Sequence, residues 1–269
     1  MKKILIILFI SLSLIGVVNA ASSNAHDLAL AAIENEDYET AFKGYSDLAK
    51  TGDLRAQEWL GYLYEYGKGV TLDYKLAFSW YQKSANRGSA YSQSKVGWLY
   101  ESGKGVAKDY KQAIRWYQKS SDQGNAFAQR KLGWMYDSGR GVAKDYKLAI
   151  KWYQKSADQG DEIGQGSLGY MYEFGRGVTK DYKQALKWYQ KSADQGNEIS
   201  QSNLGNLYEW GRGVTLDYKQ AVKWYQKSAD QGYKYGQVSL GYMYEHGRGV
   251  TKDYKQALKW YQKSADQGN

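Results

Sequence analysis

Paired glycines flank a cation six times along the chain, as Gly-Lys-Gly-Val at 67–70 and 103–106 and as Gly-Arg-Gly-Val at 139–142, 175–178, 211–214 and 247–250. Such loops have the composition of a phosphate cradle. A cradle also needs a strand before it and a Lys-Ser or Lys-Thr opening the next helix; neither is present, so these glycines read as turns. Ser84 and its counterparts sit next to small residues in a helical pattern with no histidine partner, which favours packing over nucleophilic attack. The two histidines, His26 and His246, stand too far apart for a shared metal site, and no cysteine exists to complete one. Carboxylates at Glu65, Glu101, Asp137, Glu173, Glu209 and Glu245 recur too regularly for an acid/base pair, whose members need unlike environments. Each lies three residues before Lys or Arg, which predicts local ion pairing. Neither an enzyme nor a cofactor or metal is expected.

The elements that position these residues come from a strict internal period. Trp80, Trp116, Trp152, Trp188, Trp224 and Trp260 fall 36 residues apart, each followed by Tyr-Gln-Lys-Ser. Gly61, Gly97, Gly133, Gly169, Gly205 and Gly241 keep the same interval, as do six Asp-Tyr-Lys triplets beginning at Asp73. Residues 53–268 therefore form six units: 53–88, 89–124, 125–160, 161–196, 197–232 and 233–268. Residues 21–52 read as a degenerate N-terminal capping repeat, with Gly44 where the others carry Trp.

Each unit predicts two helices. Ala56, Leu60 and Tyr64 recur at i, i+4 and i+8 as one apolar stripe. Gly67 stops that helix in a left-handed conformation, and Asp73 N-caps the next. The second helix is expected to bury Ala77, Phe78, Trp80, Tyr81 and Ala85, with the Trp filling the space between the helices. Gly164 and Gly236, where the first unit has Ala56, are expected to fray their helices, since glycine costs a helix about 1 kcal/mol.

Residues 1–20 read as a signal peptide. Lys2 and Lys3 precede an apolar run from Ile4 to Val18, and small residues end at Ala20 with Ala21 as the expected mature start. The run is short for a membrane span, so no stable span is expected after cleavage. The expected location is the periplasm or the exterior of a bacterial envelope. The remaining chain carries a net +7, because residues 1–20 hold two of the lysines behind the overall +9 and no acid. That balance suits an acidic partner. It is not concentrated in one run, so nucleic acid is not expected.

The pattern Leu60-Gly61, Tyr64, Gly67, Gly69-Val70, Asp73, Ala77, Trp80-Tyr81 and Ala85, recurring six times, resembles the Sel1-like repeat family, a relative of tetratricopeptide repeats. The resemblance implies an all-α, right-handed α/α solenoid whose first helices line a concave surface. It also implies a scaffold that binds another protein or a peptide. An immunity-type protein neutralising a secreted toxin is an alternative, and a β-lactamase-like or cell-wall enzyme another. Against the last, the chain lacks the cysteines of the family's cysteine-rich members and shows no Ser-x-x-Lys set.

Differences between units separate scaffold from candidate function. The stretches 175–197 and 247–269 are identical, so variation there is confined to the first helix of the unit. The variable stripe comprises positions equivalent to 55, 58, 62 and 66, one helical face. One row holds Tyr91, Phe127, Ile163, Ile199 and Tyr235. A second holds Tyr62, Trp98, Trp134, Tyr170 and Tyr242, serving either as groove or as core between repeats. A third holds Tyr66, Phe174, Trp210 and His246. Trp and Tyr dominate interface hot spots, which makes these rows the expected partner-binding surface. The conserved-in-repeat Gln57, Gln93, Gln129, Gln165, Gln201 and Gln237 are expected to bond across adjacent repeats. The last repeat ends without a polar cap, which raises a homodimer through its open end as a further expectation.

Overall fold

The structure, a computed structural model, describes residues 24–268; the expected signal peptide lies outside this range. Among the described residues all regular structure is helical. The chain divides into two compact units, meeting in sequence at Asn125 and Ala126. The first contains α1 (24–34), α2 (Tyr38–Lys50), α3 (Leu54–Tyr66), α4 (Tyr74–Asn86), α5 (Ala90–Ser102) and α6 (Tyr110–Asp122). The second contains α7 (Ala126–Ser138), α8 (Tyr146–Asp158), α9 (Glu162–Phe174), α10 (Tyr182–Asp194), α11 (Glu198–Trp210), α12 (Tyr218–Asp230), α13 (Lys234–His246) and α14 (Tyr254–Ala265). Within each unit consecutive helices pack on one another, so each is a stack of helical hairpins. From α3 onward the odd-numbered helices are the first helices of the repeats and the even-numbered ones the second.

Local chemistry sets these boundaries. The Asp73 carboxylate accepts from the backbone N–H groups of Lys75 and Leu76 at 2.8 and 3.0 Å, capping α4. Gly67 ends α3 at φ 63°, where a side chain would be strained. The second loop glycine joins neighbouring repeats. Gly69 lies so close to the Tyr38 backbone, one repeat earlier, that no Cβ fits between them. In the second unit Gly177, Gly213 and Gly249 meet the backbones of Tyr146, Tyr182 and Tyr218 in the same way.

Inside a repeat the crossing of the two helices is filled by tyrosine, not by the tryptophan that the sequence pattern suggested. A Cβ placed on Gly61 would lie 2.6 Å from the Tyr81 ring, and Tyr81 is fully buried. Neighbouring residues on a helix point about 100° apart, so Trp and Tyr cannot both face the crossing. The Trp turns to the preceding repeat instead: Trp116 joins Ala77, Tyr81 and Leu99, and Trp188 joins Ala149, Tyr153, Leu168 and Met171. Trp80 itself is half-buried.

The recurring carboxylates also find partners other than those expected. The Tyr81 hydroxyl donates to Glu65 at 2.7 Å, and Tyr189, Tyr225 and Tyr261 donate to Glu173, Glu209 and Glu245 at 2.7–2.8 Å. Their cations come from the next repeat: Lys95 to Glu65 at 3.0 Å, Arg176 to Asp137 at 3.4 Å, Arg212 to Glu173 at 3.9 Å and Arg248 to Glu209 at 3.3 Å. The left-handed glycine between carboxylate and loop cation breaks the helical spacing that a local pair would need. Burial raises the Glu173 carboxyl above its ordinary range, while Tyr189 and Arg212 act against that shift.

Two further expectations are answered. Gln93 donates to the Ala85 carbonyl of the preceding repeat and accepts from Gln123, so it does bond across repeats. The helices with Gly164 and Gly236 are not frayed; α9 and α13 run the same 13 residues as α3. Each glycine abuts the serine of the preceding second helix, Ser156 and Ser228, where a Cβ would collide. Close packing offsets the weaker helix propensity.

The buried tyrosines make alkali the selective denaturant. Burial pushes the phenols of Tyr81, Tyr189 and Tyr225 far above their ordinary range. Unfolded phenols ionise near about pH 10, so the unfolded chain loses protons first and stability held below that pH drains away above it. Helicity followed with phenolate absorbance should collapse in one step with ionisation of the buried class. Complete ionisation with the helices intact would contradict this burial.

Candidate functional site

The twelve residues of the expected binding face all lie on first helices: Tyr91 and Trp98 on α5, Phe127 and Trp134 on α7, Ile163, Tyr170 and Phe174 on α9, Ile199 and Trp210 on α11, and Tyr235, Tyr242 and His246 on α13. Most of the first row and all of the third row are exposed: Tyr91 at 41%, Ile163 at 43%, Ile199 at 46%, Tyr235 at 52%, Phe174 at 52% and Trp210 at 57%. Phe127 is half-buried, with Arg130 over its ring. The second row is half-buried. Trp98, Trp134, Tyr170 and Tyr242 each pack one side on a hydrophobic cluster and leave the other to solvent, so this row is half core and half surface.

The second and third rows form ring pairs one helical turn apart. Tyr170 and Phe174 lie 4.6 Å apart, Tyr242 and His246 4.1 Å, and Tyr62 and Tyr66 4.7 Å. In four repeats the loop cation caps its own second-row ring: Lys104 over Trp98 at 5.0 Å, Arg140 over Trp134 at 4.5 Å, Arg176 over Tyr170 at 4.9 Å and Arg248 over Tyr242 at 5.1 Å. The face is thus aromatic with a cationic edge.

In the first unit a cavity of about 410 Å³ is lined by Ile33, Tyr38, Glu58, Trp59, Tyr62 and Tyr91. Trp59 stacks on Tyr45 at 5.6 Å and meets Tyr62 edge-on at 5.5 Å. Ile33, Tyr38 and Trp59 escaped the sequence reading, because the first repeat departs from the period that guided it.

In the second unit a cavity of about 250 Å³ opens between α7, α9 and α11. It gathers four of the expected residues, Trp134, Ile163, Tyr170 and Ile199. Asp137, Tyr153, Gly166, Asn197 and Asn203 also line it and were not expected. A signal for two of them existed, since Gly166 and Asp137 are each smaller than most of their counterparts in the other repeats.

One Ser-x-x-Lys spacing does occur, Ser92 to Lys95, but Ser92 is fully buried and the Lys95 ammonium is held by both oxygens of Glu65 at 3.0 Å. His26 lies against Asp53 at 2.8 Å, and His246 stacks on Tyr242.

Stacked helical hairpins with invariant glycine joints, and an aromatic face that varies from hairpin to hairpin, define an α-helical repeat scaffold of the protein-binding class. The Sel1 repeat matches residues 54–89, 90–125, 126–161, 164–197, 199–233 and 234–269, and the chain belongs to the Sel1 repeat family. Sel1 repeats mediate protein binding. The structure is similar to that of a protective antigen of uropathogenic Escherichia coli strains displaying an SLR fold, with a TM-score of 0.81 and 39% identity over 93% of this chain. The match takes in 55% of that protein, so the chain spans about half the length of this relative. A Sel1 repeat protein from Oxalobacter formigenes matches with a TM-score of 0.82 and 31% identity over 90% of this chain and 96% of its own. Among curated proteins none matches the chain. No helix of the described residues is long and apolar enough to cross a membrane.

Proposed function

We propose that the chain is an exported adaptor that holds an extended segment or a folded partner protein against the face of its first helices. The observation that carries this reading is the exposure of large apolar side chains at the positions that differ between repeats. Tyr91, Phe174, Trp210 and Tyr235 stand in solvent on helices whose scaffold positions are otherwise constant. Exposed aromatic surface of this kind marks binding sites. Export rests on the Lys2–Ala20 segment, and a role at the host interface draws support from the Escherichia coli relative being a protective antigen.

Replacing Trp98, Trp134 and Trp210 together by alanine should abolish capture of the partner by the mature chain from periplasm or medium while leaving helical content unchanged. These rings are half-buried or exposed, so their truncation costs less than that of a core residue. Capture that survives with helicity intact would refute the assignment of the face. Collapse of the helices would show those side chains to be scaffold.

A further inference from the structure

We propose that the cavity between α7, α9 and α11 is an anchor pocket for a single tyrosine side chain carried on an acidic segment of the partner. The proposal rests on the binding face described above and adds which residue is read there.

The cavity exists because two side chains are cut short at one crevice. In two other repeats the position of Gly166 carries a long polar side chain that bridges to the cap of the next first helix, and the remaining three carry Ser94, Ser202 and Val238, all larger than glycine. Glu58 accepts from Ser89, the N-cap of α5, and Arg130 pairs with Asp161, the N-cap of α9, at 3.1 Å. Gly166 leaves the equivalent space in front of Asn197, the N-cap of α11, open. The second truncation is Asp137, one methylene shorter than the glutamate of the other five repeats. Where those glutamates take a tyrosine hydroxyl from their own repeat, the Tyr153 hydroxyl bonds to Ser167 instead of to Asp137.

The lining then dictates the occupant. Trp134, Tyr170, Ile163 and Ile199 give apolar walls, and Asp137 offers a partly exposed carboxylate, with Asn203 beside it. At about 250 Å³ the space is below the usual range for a whole small-molecule ligand and suits one large side chain. A flat ring with an O–H at its tip satisfies both walls and carboxylate. The phenol of tyrosine restores at Asp137 the hydroxyl-to-carboxylate bond that this protein builds internally five times over. Asp137 is the one acid in the lining, and cations border it: Arg176 over Tyr170, and Arg140 and Lys131 over Trp134 at 4.5 and 5.5 Å. Acidic residues on either side of the tyrosine complement that edge.

The test uses the full chain and fluorescent peptides of Asp, Glu and Ser with one central Tyr, Phe or Ala, followed by polarisation. The Tyr peptide should bind roughly tenfold or more tighter than the Ala peptide, and several-fold tighter than the Phe peptide through its hydrogen bond to a charged acceptor. Gly166→Arg, which copies position 130, should reduce the Tyr peptide to the level of Ala. A Cβ at 166 would lie 2.6 Å from the Ser200 hydroxyl, so Asp137→Leu, close to aspartate in shape but without an acceptor, serves as a second variant and should erase the preference for Tyr over Phe. Equal binding of Tyr and Ala peptides, or of Tyr and Phe peptides, by the unaltered chain overturns the proposal. Trp98 and Trp210 lie outside the pocket. If partner capture still depends on them while the peptides fail, the pocket proposal falls and the binding face stands; if the peptides bind while capture ignores them, the reverse holds.

Discussion

Replacing Gly177 by alanine should lower stability by about 3–5 kcal/mol, the sum of left-handed backbone strain and overpacking. Gly177 sits at φ 69°, and an added Cβ would lie 2.5 Å from the Tyr146 carbonyl carbon and 2.7 Å from its Cβ. These are atoms of a helix start and cannot rotate aside. Gly160 provides the control. It has φ 89° but open space around it, so Gly160→Ala should cost only about 1–2 kcal/mol of backbone strain. Denaturant unfolding of the two variants measures the difference. Equal losses would mean that the loop is not wedged against α8.

Trp188→Ala should cost about 3–5 kcal/mol as well, by a different route. Trp188 is 5% exposed and packs on Ala149 and Tyr153 of α8 and on Leu168 and Met171 of α9. Its truncation leaves a cavity between consecutive hairpins rather than within one. Because a repeat array is held together by nearest-neighbour interfaces, the variant should also unfold in two steps where the parent unfolds in fewer. Lys191 lies over the outer face of the same ring at 4.5 Å. Lys191→Ala should cost at most about 1 kcal/mol, which isolates the buried contribution. A loss for Trp188→Ala no larger than for Lys191→Ala would remove the tryptophan from the joint.

The helices, their caps and their turns were legible because each is written locally. Asp73 and Gly67 announce a start and a stop within a few residues of where they act. The rows proposed as the binding face were legible as one helix side too, since helical spacing places Tyr170 and Phe174 together without any knowledge of neighbours. What was not legible depended on which repeat a side chain faces. Trp80 and Tyr81 are adjacent and both apolar, and only the docking of hairpins sends one inward and the other back to its predecessor. The Glu173 series lies at a spacing that suits a local partner, yet the left-handed Gly175 carries the local Arg176 away, to Asp137 of the preceding repeat. The pocket needed both Gly166 and Asp137 to be seen at one crevice. They sit on different helices, 29 positions apart in sequence.

The joints of the second unit have one more consequence. Gly177, Gly213 and Gly249 each seat on the backbone of a tyrosine that opens the previous second helix, and the stretches 175–197 and 247–269 are identical. Hairpins built this way are interchangeable parts. A gene can gain or lose one in phase, in steps of 36 residues, and every remaining seam closes as before. The same standardisation exposes a newly made chain to register errors, because a hairpin that skips its neighbour finds an equally good seat on the next. Sequence variety on the first helices therefore has a use besides the proposed binding surface, telling each hairpin which place in the row is its own.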